Sequence, residues 1–305
     1  MSAPKRQGRG KSKASLQLIE AAVRILEEIQ PASVRAVCYR LFVEKLIPNM
    51  SKGSTDKVSK QLVYARENGL LPWAWVVDET REAERISTWD NPEEIIAAAV
   101  NGYRKDYWTM QPNWVEVWSE KGTIRGTLAP VLKKYGVTFR VMHGYGSATA
   151  LHGIAEETAD NDKALTVLYV GDWDPSGMQM SEIDIPDRLQ RYGGAASIKR
   201  VALDRRDVQP GTDLPFFEAT DKSKDPRYQW FRENYGAKCW ELDALSPVVL
   251  RERVEAQILA LLDLDTWRHA IAIEKAETDS MKSIMGAWKS ISGPASKYSA
   301  PGGPV

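Results

Sequence analysis

Cysteine, histidine and phenylalanine are scarce in this chain, numbering two, three and five among 305 residues. Cys38 and Cys239 stand far apart with no CxxC spacing, which excludes a disulfide framework and a thiolate zinc site. His143, His152 and His269 supply no imidazole set in their place. No run of about 18 apolar residues is present to span a membrane. The first residues are basic and polar, unlike the apolar segment of a secretory signal. A cytoplasmic location is expected. The glycine-rich stretch "HGYGSATALHG" (143–153) lacks the Lys-Ser/Thr ending of a P-loop, so no nucleotide-binding loop is expected.

What the chain does hold is enough apolar content, 43%, to bury a sizeable core, and at this length two domains are expected. Its formal net charge of zero conceals an asymmetry. Residues 1–60 carry twelve Lys and Arg side chains against five acids, and the remainder carries the compensating acidic excess. A basic front on an acidic body suits a first domain that meets a polyanion and a second that holds cations. A solvated basic tail would give the same split.

Residues 1–15 lack apolar periodicity and read as a disordered basic arm. In "LQLIEAAVRILEEI" the apolar positions Leu16, Ile19, Ala22, Val23 and Leu26 have helical spacing. A second helix is expected through "VRAVCYRLFVEKL" with Ser33 as its cap. A third opens on Ser54 or Thr55 and closes at Gly69, with Val58, Leu62 and Ala65 inward and Lys57, Lys60, Gln61, Tyr64 and Asn68 outward. "LLPWAWVVDETR" then reads as an extended segment or wing. Three helices and a wing predict a CAP-like winged helix-turn-helix over residues 16–80, its third helix entering the major groove of double-stranded DNA.

Residues 81–112 read as a linker containing a helix capped by Asn91. From 113 to 290 the pattern changes class. "WVEVW", "VTFRVM", "LTVLYVG" and "IKRVAL" read as strands separated by helices that begin near Gly122, Ser147 and Gly177. That alternation predicts an α/β domain with a mostly parallel sheet, within a multidomain α/β chain. "KCWELDALSPVVLRERVEAQILALL" continues as strand then helix, with Asp243 read as a cap for the helix after Pro247 or, alternatively, as an additional acid near the site. Residues 291–305 read as a disordered tail.

Ligands of parallel sheets gather at the carboxyl ends of strands, and Glu120, Asp172 and Asp174 fall there. In "LYVGDWDPSG" the two aspartates, one residue apart in extended chain, point to one side, and Pro175 and Gly177 turn the chain into the next helix. Three converging carboxylates suit a hard cation such as Mg²⁺. The alternative is that Asp172 caps a turn and Asp174 caps the helix.

The order strand-Glu120, strand, strand-Asp172-x-Asp174-Pro175-x-Gly177 resembles the Toprim domain, in the form found in the A subunit of topoisomerase VI and related meiotic double-strand-break proteins. That group carries an R-x-x-Y-Y signature on a winged-helix domain. In "SVRAVCYRLF", Arg35 and Tyr39 hold the matching places while Cys38 replaces the first tyrosine. The resemblance spans roughly residues 30–260. It implies a type IIB topoisomerase-like enzyme in which Tyr39 attacks the backbone and leaves a 5′-phosphotyrosyl end. It further implies that Arg35 stabilises the linkage, that Glu120, Asp172 and Asp174 hold Mg²⁺, and that Lys121 contacts phosphate. A homodimer with sites shared between chains, and a separate ATPase subunit of the B type, also follow from it. Two other classes stay open. One is a Toprim nuclease in which water attacks and Tyr39 merely packs among Val34, Val37, Leu41 and Phe42. The other is a non-catalytic winged-helix DNA-binding protein, with Arg35 in a surface ion pair.

Overall fold

The computed structural model describes residues 11–77, 88–142 and 148–291. The expectations for arm residues 1–10, for the end of the wing and the start of the linker (78–87), for the start of the glycine-rich stretch (143–147) and for tail residues 292–305 lie outside the described residues. The chain forms two compact units, residues 1–82 with 113–261, and residues 83–112 with 262–305.

In the first unit, helix α1 (Lys13–Ile29) starts earlier than its apolar pattern because Ser12 caps it, accepting the Ser15 N–H. Strand β1 (Ala32–Ser33) leads into α2 (Val34–Val43), where the Ser33 hydroxyl accepts the Ala36 N–H at 3.1 Å, the cap the sequence predicts. Helix α3 (Lys52–Glu67) begins two residues before the expected start and buries Val58, Leu62 and Ala65 against α1 and α2. Strand β2 (Val76–Val77) departs from the expected wing. It pairs in parallel with β1, and no antiparallel hairpin occurs here among the described residues. The reason is packing: Val76 is buried and Val77 fills the space beside Gly126, where a Cβ would come within 2.6 Å. The segment thus ties the helical layer to the sheet layer.

Helix α4 (Pro92–Gly102) belongs to the second unit. The sheet layer of the first unit is built from β3 (Trp114–Ser119), α5 (Ile124–Tyr135), β4 (Thr138–Val141), α6 (Ala148–Ala159) and β5 (Leu165–Val170), followed by the short α7 (Pro175–Gln179). One π turn (Met180–Asp184) joins α7 to α8 (Ile185–Arg191). Strand β6 (Ala196–Ala202), the antiparallel pair β7 (Phe217–Glu218) and β8 (Lys238–Cys239) with α9 (Tyr228–Tyr235) between them, and α10 (Pro247–Leu261) complete the unit. The four strands run parallel in the order β4-β3-β5-β6. Leu165, Val167 and Tyr169 pack with α6 and α8, while the alternate residues Leu168 and Val170 are equally buried. Burial on both sides explains why "LTVLYV" is apolar throughout. The chain leaves β3 toward β4 on one side and returns to β5 on the other, so the strand order reverses between β3 and β5. A crevice opens at the carboxyl ends of strands at such a reversal.

The second unit pairs α4 with α11 (Leu264–Ile291). Lys105 and Tyr103 hold Glu277, the Lys105 N–H donates to Glu274 at 2.8 Å, Tyr107 stacks edge-on against Trp267, and Gln111 exchanges two hydrogen bonds with Asp263. These contacts correct the expected boundaries. Residues 83–112 are half of a helical unit rather than a linker, and residues 262–290 complete that unit rather than the sheet domain. Ile291 ends α11 and does not begin the tail. Among the described residues no helix is long and apolar enough to cross a membrane.

Candidate active site at the β3 and β5 strand ends

The turn after β5 is held from below by one side chain. Arg200 of β6, whose side chain is only 7% exposed, donates to the carbonyls of Gly171, Asp172, Gly177 and Leu203 and to the Ser181 hydroxyl, at 2.8 to 3.2 Å. Burial lowers its pKa from the usual arginine value, so this cation is retained at a cost. Gly177 is needed for a second reason: a Cβ there would lie 2.5 Å from the Asp172 carbonyl oxygen. Trp173 pairs with Trp240 through two backbone hydrogen bonds, which brings residues 241–243 alongside the turn.

The two aspartates have different surroundings. Asp174 caps α7, its Oδ1 accepting the Gly177 N–H at 2.7 Å, so the capping alternative holds for one of its oxygens. Its Oδ2 faces Lys222 Nζ at 3.2 Å. Asp172 Oδ1 accepts the Leu242 N–H at 2.7 Å and faces Lys121 Nζ at 2.9 Å. Burial, then repulsion from Asp172 and Asp174, raises the Glu120 pKa above the ordinary glutamate value, with Lys121 and Lys222 opposing. The three predicted acids are therefore electrostatic neighbours at the strand reversal.

Asp243 is not a helix cap. It lies in a 3₁₀ turn (Leu242–Ala244), its side chain is 2% exposed, and it accepts from Ser33 Oγ and Lys121 Nζ, each at 3.1 Å. The Ser33 hydroxyl thus caps α2 and binds the buried acid at once, docking α2 on the sheet layer. Burial works against the Lys121 ammonium, but Asp172, Asp243 and Glu241 outweigh it and raise its pKa.

Arg35 and Tyr39 share a face of α2 as the four-residue spacing predicts. Arg35 pairs with Glu241, with its Nε 3.9 Å from Asp243, and its guanidinium lies 5.8 Å from the Tyr39 ring centre. It is thus in an ion pair with a neighbouring element. Tyr39 is 6% exposed; burial first, and the Glu241 charge second, push its pKa above the usual phenol value, with Arg35 and Lys121 opposing. Arg35, Lys121, Asp172, Glu241 and Asp243 line an open cleft of about 520 Å³. Tyrosine, arginine and acids are brought together within one chain. Cys38, at the place where the related signature has tyrosine, is fully buried.

On α3, Lys57 and Lys60 are exposed as predicted. Gln61 is not: it is 9% exposed, accepting from Lys11 Nζ at 2.9 Å, and the same ammonium lies 4.1 Å from the centre of the half-buried Tyr64 ring. Gln61 adjoins Leu62 on the buried side of the helix, and Lys11 covers what remains.

Glu241, Lys222 and Arg200 have no counterpart in the predicted site. Glu241 and Asp243 carried one available signal, acids on either side of an apolar residue after a short strand, the same pattern as Asp172 and Asp174. The donor set of Glu120, Asp172 and Asp174 suits a hard divalent cation, since all are carboxylate oxygens and Glu120 feels both aspartates. Among the described residues no three acidic, histidine or cysteine side chains are gathered tightly enough to hold a metal ion as they stand. The positive charge at the aspartates is that of Lys121 and Lys222. No protein-family model matches the chain, and no curated protein matches it either.

Proposed function

We propose that this chain cleaves duplex DNA by Mg²⁺-dependent tyrosine transesterification, as an enzyme resembling the topoisomerase VI A subunit, with a winged-helix-like front and a Toprim-like sheet layer. The observation that carries the reading is the docking of the Arg35 and Tyr39 face of α2 on residues 241–243, beside the acids of the β3 and β5 strand ends. Glu120, Asp172 and Asp174 would hold Mg²⁺, which would supply positive charge to the phosphate and to the departing 3′ oxygen. Tyr39 attacks phosphorus, its proton passing to Glu241, the carboxylate whose charge acts on the phenol. Arg35 and Lys121 supply positive charge to the bridging phosphate. Lys57 and Lys60 grip the DNA backbone.

Cutting both strands needs two chains, which supports a homodimer. The resemblance implies sites shared between chains; the nearness of Tyr39 to Glu241 and Lys121 of its own chain supports sites completed within each protomer. Strand passage driven by ATP would need a separate B-type subunit. The slight exposure of Tyr39 favours a second reading, in which water attacks and Tyr39 packs. Supercoiled plasmid incubated with Mg²⁺ separates them. Tyrosine attack predicts that Asp172→Ala and Tyr39→Phe both lose cleavage; water attack predicts that only Asp172→Ala does. Intact plasmid with the wild-type chain would contradict both.

A further inference from the structure

Each aspartate of the "DWD" turn carries its own ammonium group, and the two come from different parts of the chain. Lys121 follows β3 directly and stands 2.9 Å from Asp172 and 3.1 Å from Asp243. Lys222 closes the 3₁₀ turn Ala219–Lys222 and stands 3.2 Å from Asp174. The backbone N–H groups of Leu242 and Gly177 fix the carboxylates in place, whereas the lysines neutralise them from flexible stems that reach solvent, with side chains 25% and 44% exposed.

Resting on the metal-bearing reading of this cleft, we infer that Lys121 and Lys222 are exchangeable counter-ions: a divalent cation at Asp172 and Asp174 displaces both ammonium groups, which then bind the phosphates of the DNA backbone. Charge balance supports it. Glu120, Asp172 and Asp174 bring three negative charges to the turn, and two ammonium groups already offset two of them. Glu241 and Asp243 add two more against Arg35 alone, which leaves two negative charges in excess, and one divalent cation neutralises them. The cation takes over the carboxylates, the displaced ammonium groups lose those partners, and a phosphodiester is the anion that the proposed reaction brings to them. Asp243 keeps hold of Lys121 once Asp172 is surrendered, so that ammonium stays at the cleft. Metal and DNA then tighten each other's binding by the same factor, as linkage requires.

The experiment uses the full chain with Tyr39→Phe to keep the duplex intact, alone and combined with Lys222→Met or Lys121→Met, checked for fold by circular dichroism. MgCl₂ is titrated calorimetrically without DNA, and affinity for a short duplex is measured with and without MgCl₂ at constant ionic strength. Removing either lysine should tighten Mg²⁺ binding by about tenfold, since the competing cation is gone. The Lys222→Met chain should bind duplex as the parent does without Mg²⁺, and more weakly than the parent only when Mg²⁺ is present. Lys222 is the more exposed of the two, so its variant decides the matter if Lys121→Met fails to fold. Unchanged Mg²⁺ affinity in Lys222→Met, or a loss of duplex affinity by the same factor with and without Mg²⁺, would overturn the exchange while leaving the metal site standing. Equal Mg²⁺ heats from the parent chain and from an Asp172→Ala/Asp174→Ala chain would overturn the metal site and the exchange together.

Discussion

Glu120 shows how the cleft trades stability for a charged site. Burial and the two aspartates raise its pKa, so its ionised form at neutral pH is less favourable in the folded chain than in the unfolded one. The stabilising contribution of a raised carboxyl pKa exists at low pH and is lost as pH rises through the folded value. Glu120→Gln should therefore raise the melting temperature at pH 7, by roughly 0.5–2 kcal/mol of stability, while weakening Mg²⁺ binding. The gain should vanish below about pH 4, where both side chains are neutral. Tyr39 has the same sign at the other end of the scale. Its raised pKa means that stability falls once pH passes about 10, where the unfolded phenol ionises first. Thermal melts of Tyr39→Phe should show a shallower alkaline decline. Burial pushes the Cys38 thiol up to about 11 and the Cys239 thiol up to about 12. Neither should react with a thiol reagent at pH 8 until denaturant is added; rapid labelling of the native chain would contradict their placement. At this scale Glu120, Asp172 and Asp174 were legible in the sequence because strand ends and turn residues announce themselves locally. Asp243 stood only as the lesser of two readings, because its partners Ser33 and Lys121 lie 210 and 122 positions away.

The elements follow their local patterns closely where one surface decides them. The four parallel strands, the Ser33 and Asn91 caps and the apolar face of α3 all stand where periodicity and capping chemistry put them. The extended segment expected there is seen at Val76 and Val77, which are apolar for a reason that no local pattern reveals: they pack on β1 and on Gly126 of α5. Gly126→Ala should cost about 1–3 kcal/mol by overpacking against Val77, measured by denaturant unfolding. Arg200 makes a stronger case. Arg200→Met removes a donor from four carbonyls, of which those of Gly171 and Gly177 keep other donors, and should cost about 2–4 kcal/mol, with Arg200→Lys recovering only part, since an ammonium lacks the guanidinium fork. A loss under about 1 kcal/mol would show that the turn holds itself.

For the whole molecule, the sequence divides by composition while the structure divides by contact. Residues 262–291 look like a continuation of the sheet domain, yet Trp267, Glu274 and Glu277 pair with residues 103–108, a partnership that needs two segments distant in sequence. The basic front was legible from charge alone, but its use depends on which lysines remain exposed. Deleting residues 1–13, or replacing Lys57 and Lys60 with alanine, should weaken duplex binding and flatten its dependence on salt, by about one counterion for each phosphate no longer gripped. Gln61→Ala should change little, since Lys11 and the helical core cover it. The central claim is that Tyr39 becomes covalently joined to DNA, and the direct measurement is polarity of attachment. A duplex labelled at one 5′ end or one 3′ end is incubated with the chain and Mg²⁺, denatured with detergent and analysed with and without protease. Tyrosine transesterification predicts fragments whose newly made 5′ ends carry protein until protease removes it, with no such species from Tyr39→Phe. Cleavage that leaves both new ends free of protein, undiminished in Tyr39→Phe, would contradict it.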